Sequence, residues 1–245
     1  CLSLLSIMSL FSCSSEKEFN NWGDKLTQYV VEDYMPAKDY IWNWNEAVFL
    51  KFAVVRCENN MDKDLKKVVI LLAHPNMKES QANKALTDAV KDMDEVAVYN
   101  LYELHNESTF NVDEWSKIIS HAAAVIYQFP FYWMSAPSLL KKWQDEVFTY
   151  LAKTPAVAGK PLMVVTTTGS EFEAYRSGGR NRFTVDELLR PYQVGAIHAG
   201  MVWQTPIIAY GMGTTDAAKN IAEGANLYRQ KVERLIGTEN SGNNW

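Results

Sequence analysis

From Lys67 onward, short apolar runs of strand type alternate with segments of helical periodicity, and this alternation restricts the chain to a parallel sheet covered by helices on both faces. Strands are expected at residues 68–73, 96–99, 123–128, 162–166 and 196–203. Helices are expected at about 81–91, 112–120, 138–150, 185–192 and 215–235. This is an α/β, doubly wound five-stranded parallel sheet, which binds ligands outside the carboxyl ends of its strands. The functional loops should follow the first, third and fourth strands.

The first loop, residues 73–86, reads AHPNMKESQANKAL. Ser80 can cap a helix beginning at Gln81, leaving free backbone N–H groups and the positive end of the helix dipole for a phosphate. His74, at the strand's end, can donate to a phosphate oxygen, although alone it is as readily a capping histidine. Asn83 in the first turn can tie the loop together. Neither G-x-x-x-x-G-K-[ST] nor G-x-G-x-x-G occurs, so nucleoside triphosphate and dinucleotide fingerprints are absent.

The second loop runs from Pro130 to Pro137. The prolines stiffen its ends, while Phe131, Tyr132 and Trp133 supply flat surface for a planar cofactor. An aromatic cluster is more often core than cofactor site; its position between two prolines after a strand argues for the site. Left open to water, the ledge Phe131 to Met134 would be an apolar patch, which favours a homodimer with its sites at the interface. The third loop, residues 166–181, reads TTTGSEFEAYRSGGRN. Small hydroxyl residues and Gly169 permit close backbone approach, and Gly178 with Gly179 suggests a mobile flap. Alone it could equally be a polar surface loop.

The net charge of -5 and pI near 5.5 argue against a nucleic-acid surface, which needs a clustered basic face. The three cysteines are Cys1, Cys13 and Cys57, so residues 58–245 have no thiol chemistry. Redox chemistry there must come from a cofactor.

The first sixty residues have a different character. The apolar run 2–11 is too short to span a bilayer but suits a signal-peptide core, and residues 10–13 resemble a bacterial lipoprotein signal that would lipidate Cys13. The alternative is a short buried or disordered apolar segment. The chain opens on Cys1 with no basic residue before the run, so a start further upstream is expected. Residues 20–58, with Trp22, Trp42 and Trp44, resemble the first helical hairpin of unsaturated glucuronyl hydrolases. One hairpin cannot close a barrel of helices, and no glycosidase activity is implied. At Met61 the character changes, which divides the chain into a partly helical extension, 1–60, and a catalytic domain, 61–240. A misjoined or frameshifted gene would explain the junction.

Residues 67–235 resemble the NAD(P)H:quinone oxidoreductases of the flavodoxin-like superfamily, and most nearly the bacterial branch that includes ancillary subunits of glutathione-gated potassium-efflux channels. The matching motifs are His74-Pro75, Ser80-x-x-Asn83, QFPFYW at 128–133, PSLLKKWQDEVF at 137–148, GKPL at 159–162, TTGS at 167–170 and ELLRP at 187–191. The resemblance implies FMN, or alternatively FAD, with NAD(P)H as co-substrate and hydride transfer to a quinone or similar acceptor. By the same resemblance His74, Ser80, Gln81, Ala82 and Asn83 would hold the flavin phosphate and ribityl end. Pro130, Phe131, Tyr132 and Trp133 would flank the isoalloxazine, and Thr167, Thr168, Gly169 and Ser170 would contact its pyrimidine edge.

It further implies a homodimer and a cytoplasmic location, the latter in conflict with a lipoprotein export signal. The rival it raises is a flavin-binding regulatory subunit docked on a membrane potassium-efflux transporter. There are departures. Tyr175 matches a catalytic tyrosine of the mammalian-type quinone reductases, but the position of their catalytic histidine falls near Asn181. Asparagine is neither acid nor base, so proton delivery falls to water or Tyr175. The efflux branch carries a GWAYG-like stretch where this chain has residues 147–160.

Overall fold

The computed structural model describes residues 67–105 and 109–237, within the unit Leu65–Trp245. The expectations for the extension 1–60 lie outside the described residues. In chain order the elements are β1 Val68–Leu72, α1 Ala82–Asp88, β2 Val96–Asn100, α2 Leu101–Leu104, α3 Val112–Ser120 and β3 Ala124–Pro130. There follow α4 Ser138–Trp143, a π turn Gln144–Phe148, α5 Thr149–Leu151, β4 Pro161–Thr167 and a 3-10 turn Phe172–Tyr175. The last are α6 Val185–Leu188, α7 Arg190–His198, β5 Val202–Trp203, β6 Ile207–Ala209 and α8 Ala217–Gly237.

The sheet order is β2-β1-β3-β4-β5, every pairing is parallel, and β6 also pairs with β4. This is the expected doubly wound arrangement. The direction in which successive strands are added reverses between β1 and β3, which opens a crevice between the loops that follow them. Because β1 lies inside the sheet with helices on both faces, all five of its residues are buried apolar ones. Alternate residues serve opposite layers. Val69, Leu71, Tyr127, Phe129 and Val164 pack with Trp115, Leu140 and Trp143 of α3 and α4, whereas Val68, Ile70, Ile126 and Met163 pack with Leu86 of α1 and Tyr228 and Val232 of α8. Among the described residues no helix is long and apolar enough to cross a membrane.

The expected strand at 196–203 is corrected. Ala196 to His198 finish α7, which closes where Gly200, at φ +72°, lets Met201 N–H donate to Ala196 O (2.9 Å) and Gly200 N–H to Ile197 O (3.0 Å). The fifth sheet position is then shared by β5 and β6, on either side of Pro206, which has no N–H for the ladder. The expected helix 185–192 is two helices. Thr184 and Glu187 cap each other reciprocally at the start of α6, and Pro191 sits in the first turn of α7.

Candidate functional site

The carboxyl ends of β1, β3 and β4 bring the three loops together. His74 lies two residues past the end of β1 and is buried. Its Nδ1 accepts from Asn76 N–H at 3.1 Å, and its ring meets Tyr132 of the second loop edge-on, 6.4 Å between centroids. Burial lowers its pKa from 6.5, so the ring is neutral at pH 7. With Nδ1 accepting, Nε2 carries the proton and is a donor.

Ser80 does not cap the helix. α1 begins at Ala82, Gln81 occupies the cap position with helical backbone (φ -85°, ψ -52°), and no side chain closes that end. Ser80 precedes it, half-buried, its N–H donating to Met77 O at 3.2 Å. The first N–H groups of the helix thus have no side-chain partner, as a ligand there would require. Asn83 does tie the loop: 1% exposed, it donates from Nδ2 to Thr167 Oγ1 at 3.2 Å. Gln128 reinforces the tie by donating to Asn83 O and Thr87 Oγ1, each at 2.9 Å, so α1 is held against β3 and β4. Two buried oxygens in this knot, Asn83 Oδ1 and Gln128 Oε1, have no donor.

At the end of β3 the pleat continues through Pro130, so Phe131 faces the core and is only 9% exposed. Phe131 therefore does not form the open ledge, contrary to expectation; its ring packs against Tyr175 at 6.3 Å. The ledge is Tyr132, Trp133 and Met134, with Trp133 97% exposed. Tyr132 and Ser135 exchange two backbone hydrogen bonds (2.9 and 3.0 Å) around Trp133 and Met134, both left-handed at φ 47° and 63°. Left-handed backbone costs a non-glycine residue on the order of 1 kcal/mol, and such outliers cluster at ligand sites. Tyr192 of α7 steadies the turn, its hydroxyl meeting Ser135 Oγ at 3.1 Å and accepting from Ala136 N–H at 3.0 Å.

At the last residue of β4 the hydroxyl of Thr167 accepts from Asn83, and just past it that of Thr168 donates to Ser170 O at 2.8 Å. Gly169 and Ser170 reach outward. Their carbonyls are tied to the loop after β6 by Gly213 and Gly211 N–H, at 2.9 and 2.8 Å. A side chain at Gly169 would touch nothing within 4 Å, so that backbone faces open space. Tyr175 lies between Phe131 and Tyr210 (6.3 and 6.0 Å) and is 5% exposed, its phenol pKa raised by burial. Asn181 N–H donates to Ala174 O at 3.0 Å and holds the loop closed. The expected flap is instead a tight turn, because Gly179 packs on the backbone of Glu173 and Ala174.

Sequence reasoning missed Arg180, which donates from Nη2 to Ser170 Oγ, and Tyr192. The signal for Arg180 was its place in RSGGRNR, three arginines around a glycine pair.

A family model for the flavodoxin-like fold matches residues 66–232. The chain belongs to that family. Among flavodoxin-like relatives it is 34% identical to general stress protein 14 of Bacillus subtilis over 172 residues, covering 69% of this chain and 98% of that one. It is 35% identical to the uncharacterized NAD(P)H oxidoreductase YdeQ of Bacillus subtilis, over 70% of this chain and 89% of the other. Identity with KefG of Yersinia enterocolitica, a glutathione-regulated potassium-efflux system ancillary protein, is 31%, over 70% and 95% of the two chains. Of solved structures, general stress protein 14 of Treponema denticola in complex with FMN superposes with TM-score 0.64 and 31% identity, over 69% of this chain and 99% of that one. An NADPH-quinone reductase of P.pentosaceus does so with TM-score 0.59 and 27% identity, over 68% and 97%.

Proposed function

We propose that this chain is a flavin-dependent NAD(P)H oxidoreductase, holding FMN across the loops after β1, β3 and β4 and passing two electrons as hydride to a quinone or similar acceptor. The observation that carries the proposal is the strained, exposed ledge at Tyr132, Trp133 and Met134 after β3, together with the open backbone of Gly169 after the paired strand β4. The FMN bound by the Treponema denticola relative supports it. FAD would use the same loops. Bound there, the flavin supplies the hydride acceptance and two-electron delivery for which this domain has no side chain.

The chain's own groups bind and orient. His74 Nε2–H and the free N–H groups at Gln81, Ala82 and Asn83 suit a phosphate. Pro130 ends the strand that presents the ledge. Thr167 and Thr168 are committed to the scaffold, which leaves Gly169 and Ser170 to meet a ring edge. Tyr175 stays protonated at neutral pH and can donate; Asn181 cannot exchange a proton. An NAD(P)H-fed enzyme belongs in the cytoplasm.

Purified protein should carry stoichiometric FMN and oxidise NAD(P)H when menadione is added. Ser80→Asp should weaken FMN binding by roughly 10-fold or more, because a carboxylate would face the phosphate. Full flavin occupancy in Ser80→Asp removes the phosphate assignment, and a wild-type protein that takes up no added FMN removes the whole reading. The KefG relatives favour a second reading, a flavin-binding regulatory subunit of a membrane transporter. Co-purification with a transporter and no menadione turnover would select it.

The exposed Trp133 also supports a homodimer that covers the ledge. Light scattering should show a dimer at micromolar concentration; a fully active monomer would exclude a shared site.

A further inference from the structure

Three arginines, Arg176, Arg180 and Arg182, lie within seven residues of the loop after β4, and the chemistry above uses none of them. Among the described residues none of the three has a carboxylate within ion-pair distance, whereas Lys91, Lys141, Lys142 and Lys219 each have one and Arg229 has two. Acids are present on the same segment. Glu171 and Glu173, however, line a separate cavity of about 470 Å³ beside β6 and α8, together with Asp216 and Glu223, and no arginine lines it. Arg180 and Arg182 lie outside that acidic lining, whereas Arg176 stands over Phe172, which belongs to it.

The turn that presents the arginines is closely packed at Gly179. Gly179 is pinned on the 3-10 turn, and Arg182, whose N–H donates to Gly179 O at 3.0 Å, is left-handed at φ 61°. Asparagine or glycine would take that backbone with less strain, so a long cationic side chain there needs a reason. Arg180 is exposed; it donates to Ser170, and its charge bears on the Tyr175 hydroxyl. Arg176 stands 5.5 Å over the Phe172 ring.

We propose that Arg180 and Arg182 form a phosphate receptor for the nicotinamide dinucleotide at the rim of the loops after β3 and β4. The inference rests on the oxidoreductase reading and names which groups choose its reductant. A guanidinium presents a planar fork of donors that matches two phosphate oxygens. The flavin phosphate belongs at the opposite loop, by His74 and α1, so these cations remain for the second ligand. The dinucleotide offers two targets, the pyrophosphate common to NADH and NADPH and the 2′-phosphate of NADPH alone.

The test uses FMN-loaded protein and three variants: Arg180→Gln, Arg182→Asn and, as a charge control on α8, Arg234→Gln. KM and kcat are measured with NADPH and with NADH, and binding of 2′,5′-ADP is measured by calorimetry. Arg182→Asn should raise KM for NADPH by about 10-fold or more with kcat within about two-fold, since charge-assisted hydrogen bonds carry that much binding. FMN content should be unchanged. A rise for NADPH alone, with weaker 2′,5′-ADP binding, assigns the receptor to the 2′-phosphate; an equal rise for both dinucleotides assigns it to the pyrophosphate. KM values within about two-fold of wild type in both arginine variants, or matched by Arg234→Gln, overturn the proposal. Loss of FMN in Arg180→Gln overturns it for Arg180, and Arg182→Asn then decides. If the wild type oxidises neither dinucleotide the oxidoreductase reading has failed, and 2′,5′-ADP binding that depends on Arg182 still tests the receptor.

Discussion

Gly179→Ala should cut kcat/KM by about 100-fold, because the added methyl has no space and the loop that carries the site must move. A β-carbon at this position would overlap the Glu173 carbonyl oxygen and stand 2.7 Å from that of Ala174. Both obstacles are backbone, so rotamer changes cannot relieve the clash. The 3-10 turn Phe172–Tyr175 would shift, and with it Tyr175, the Asn181–Ala174 hydrogen bond and the approach of Arg180 to Ser170. Overpacking of this kind destabilises by about 3 kcal/mol. Gly178→Ala is the internal comparison. At φ +92° it is strained, but its methyl would meet nothing within 4 Å, so its effect should be smaller. Equal activity in Gly179→Ala and wild type would show that the turn does not position the site.

Several elements were legible because one signal dominated them. VVILL is buried on both faces, so its strand has no rival pattern, and the prolines at 130 and 137 bracket the loop that emerges from β3. Misreadings arose where local preference met tertiary geometry. Serine is a favoured cap, yet the backbone at Gln81 is already helical, which moves the cap position past Ser80. Phe131 was assigned to the ledge by its neighbours, although the two-residue period of β3 puts Val125, Tyr127, Phe129 and Phe131 in one layer. Ala196 to His198 have composition suited to either helix or strand, and only the turn at Gly200 decides. The links from Tyr192 to Ser135 and from Gln128 to Asn83 join residues 57 and 45 positions apart, beyond local periodicity.

The same distant contacts explain how a strained turn persists. Trp133 and Met134 hold left-handed backbone because Tyr192 braces the turn, and Tyr192 is itself set by Tyr127 and Phe129, at ring distances of 6.5 and 5.5 Å. Tyr127 leans in turn on Trp143, which is fully buried and edge-on to both Tyr127 and Trp115 at 6.1 and 5.6 Å. Trp143 closes α4 where the helix widens into its π turn, so it links the helix layer to the floor beneath the ledge.

Trp143→Ala should therefore be the most destabilising core substitution in this layer, at about 3–5 kcal/mol, from lost burial and the cavity left behind. Net stabilities are about 5–15 kcal/mol, so the loss is a large share of the total. For a domain of this size it corresponds to a fall in Tm of roughly 10 °C. The functional consequence separates floor from site. Added FMN should raise Tm in Trp143→Ala as it does in wild type, because its loops remain and binding to the folded state stabilises by mass action. A drop in Tm below about 3 °C would show that the aromatic stack is not what holds the layer. Normal apoprotein stability with FMN stabilisation abolished would instead move Trp143 from the floor to the site itself.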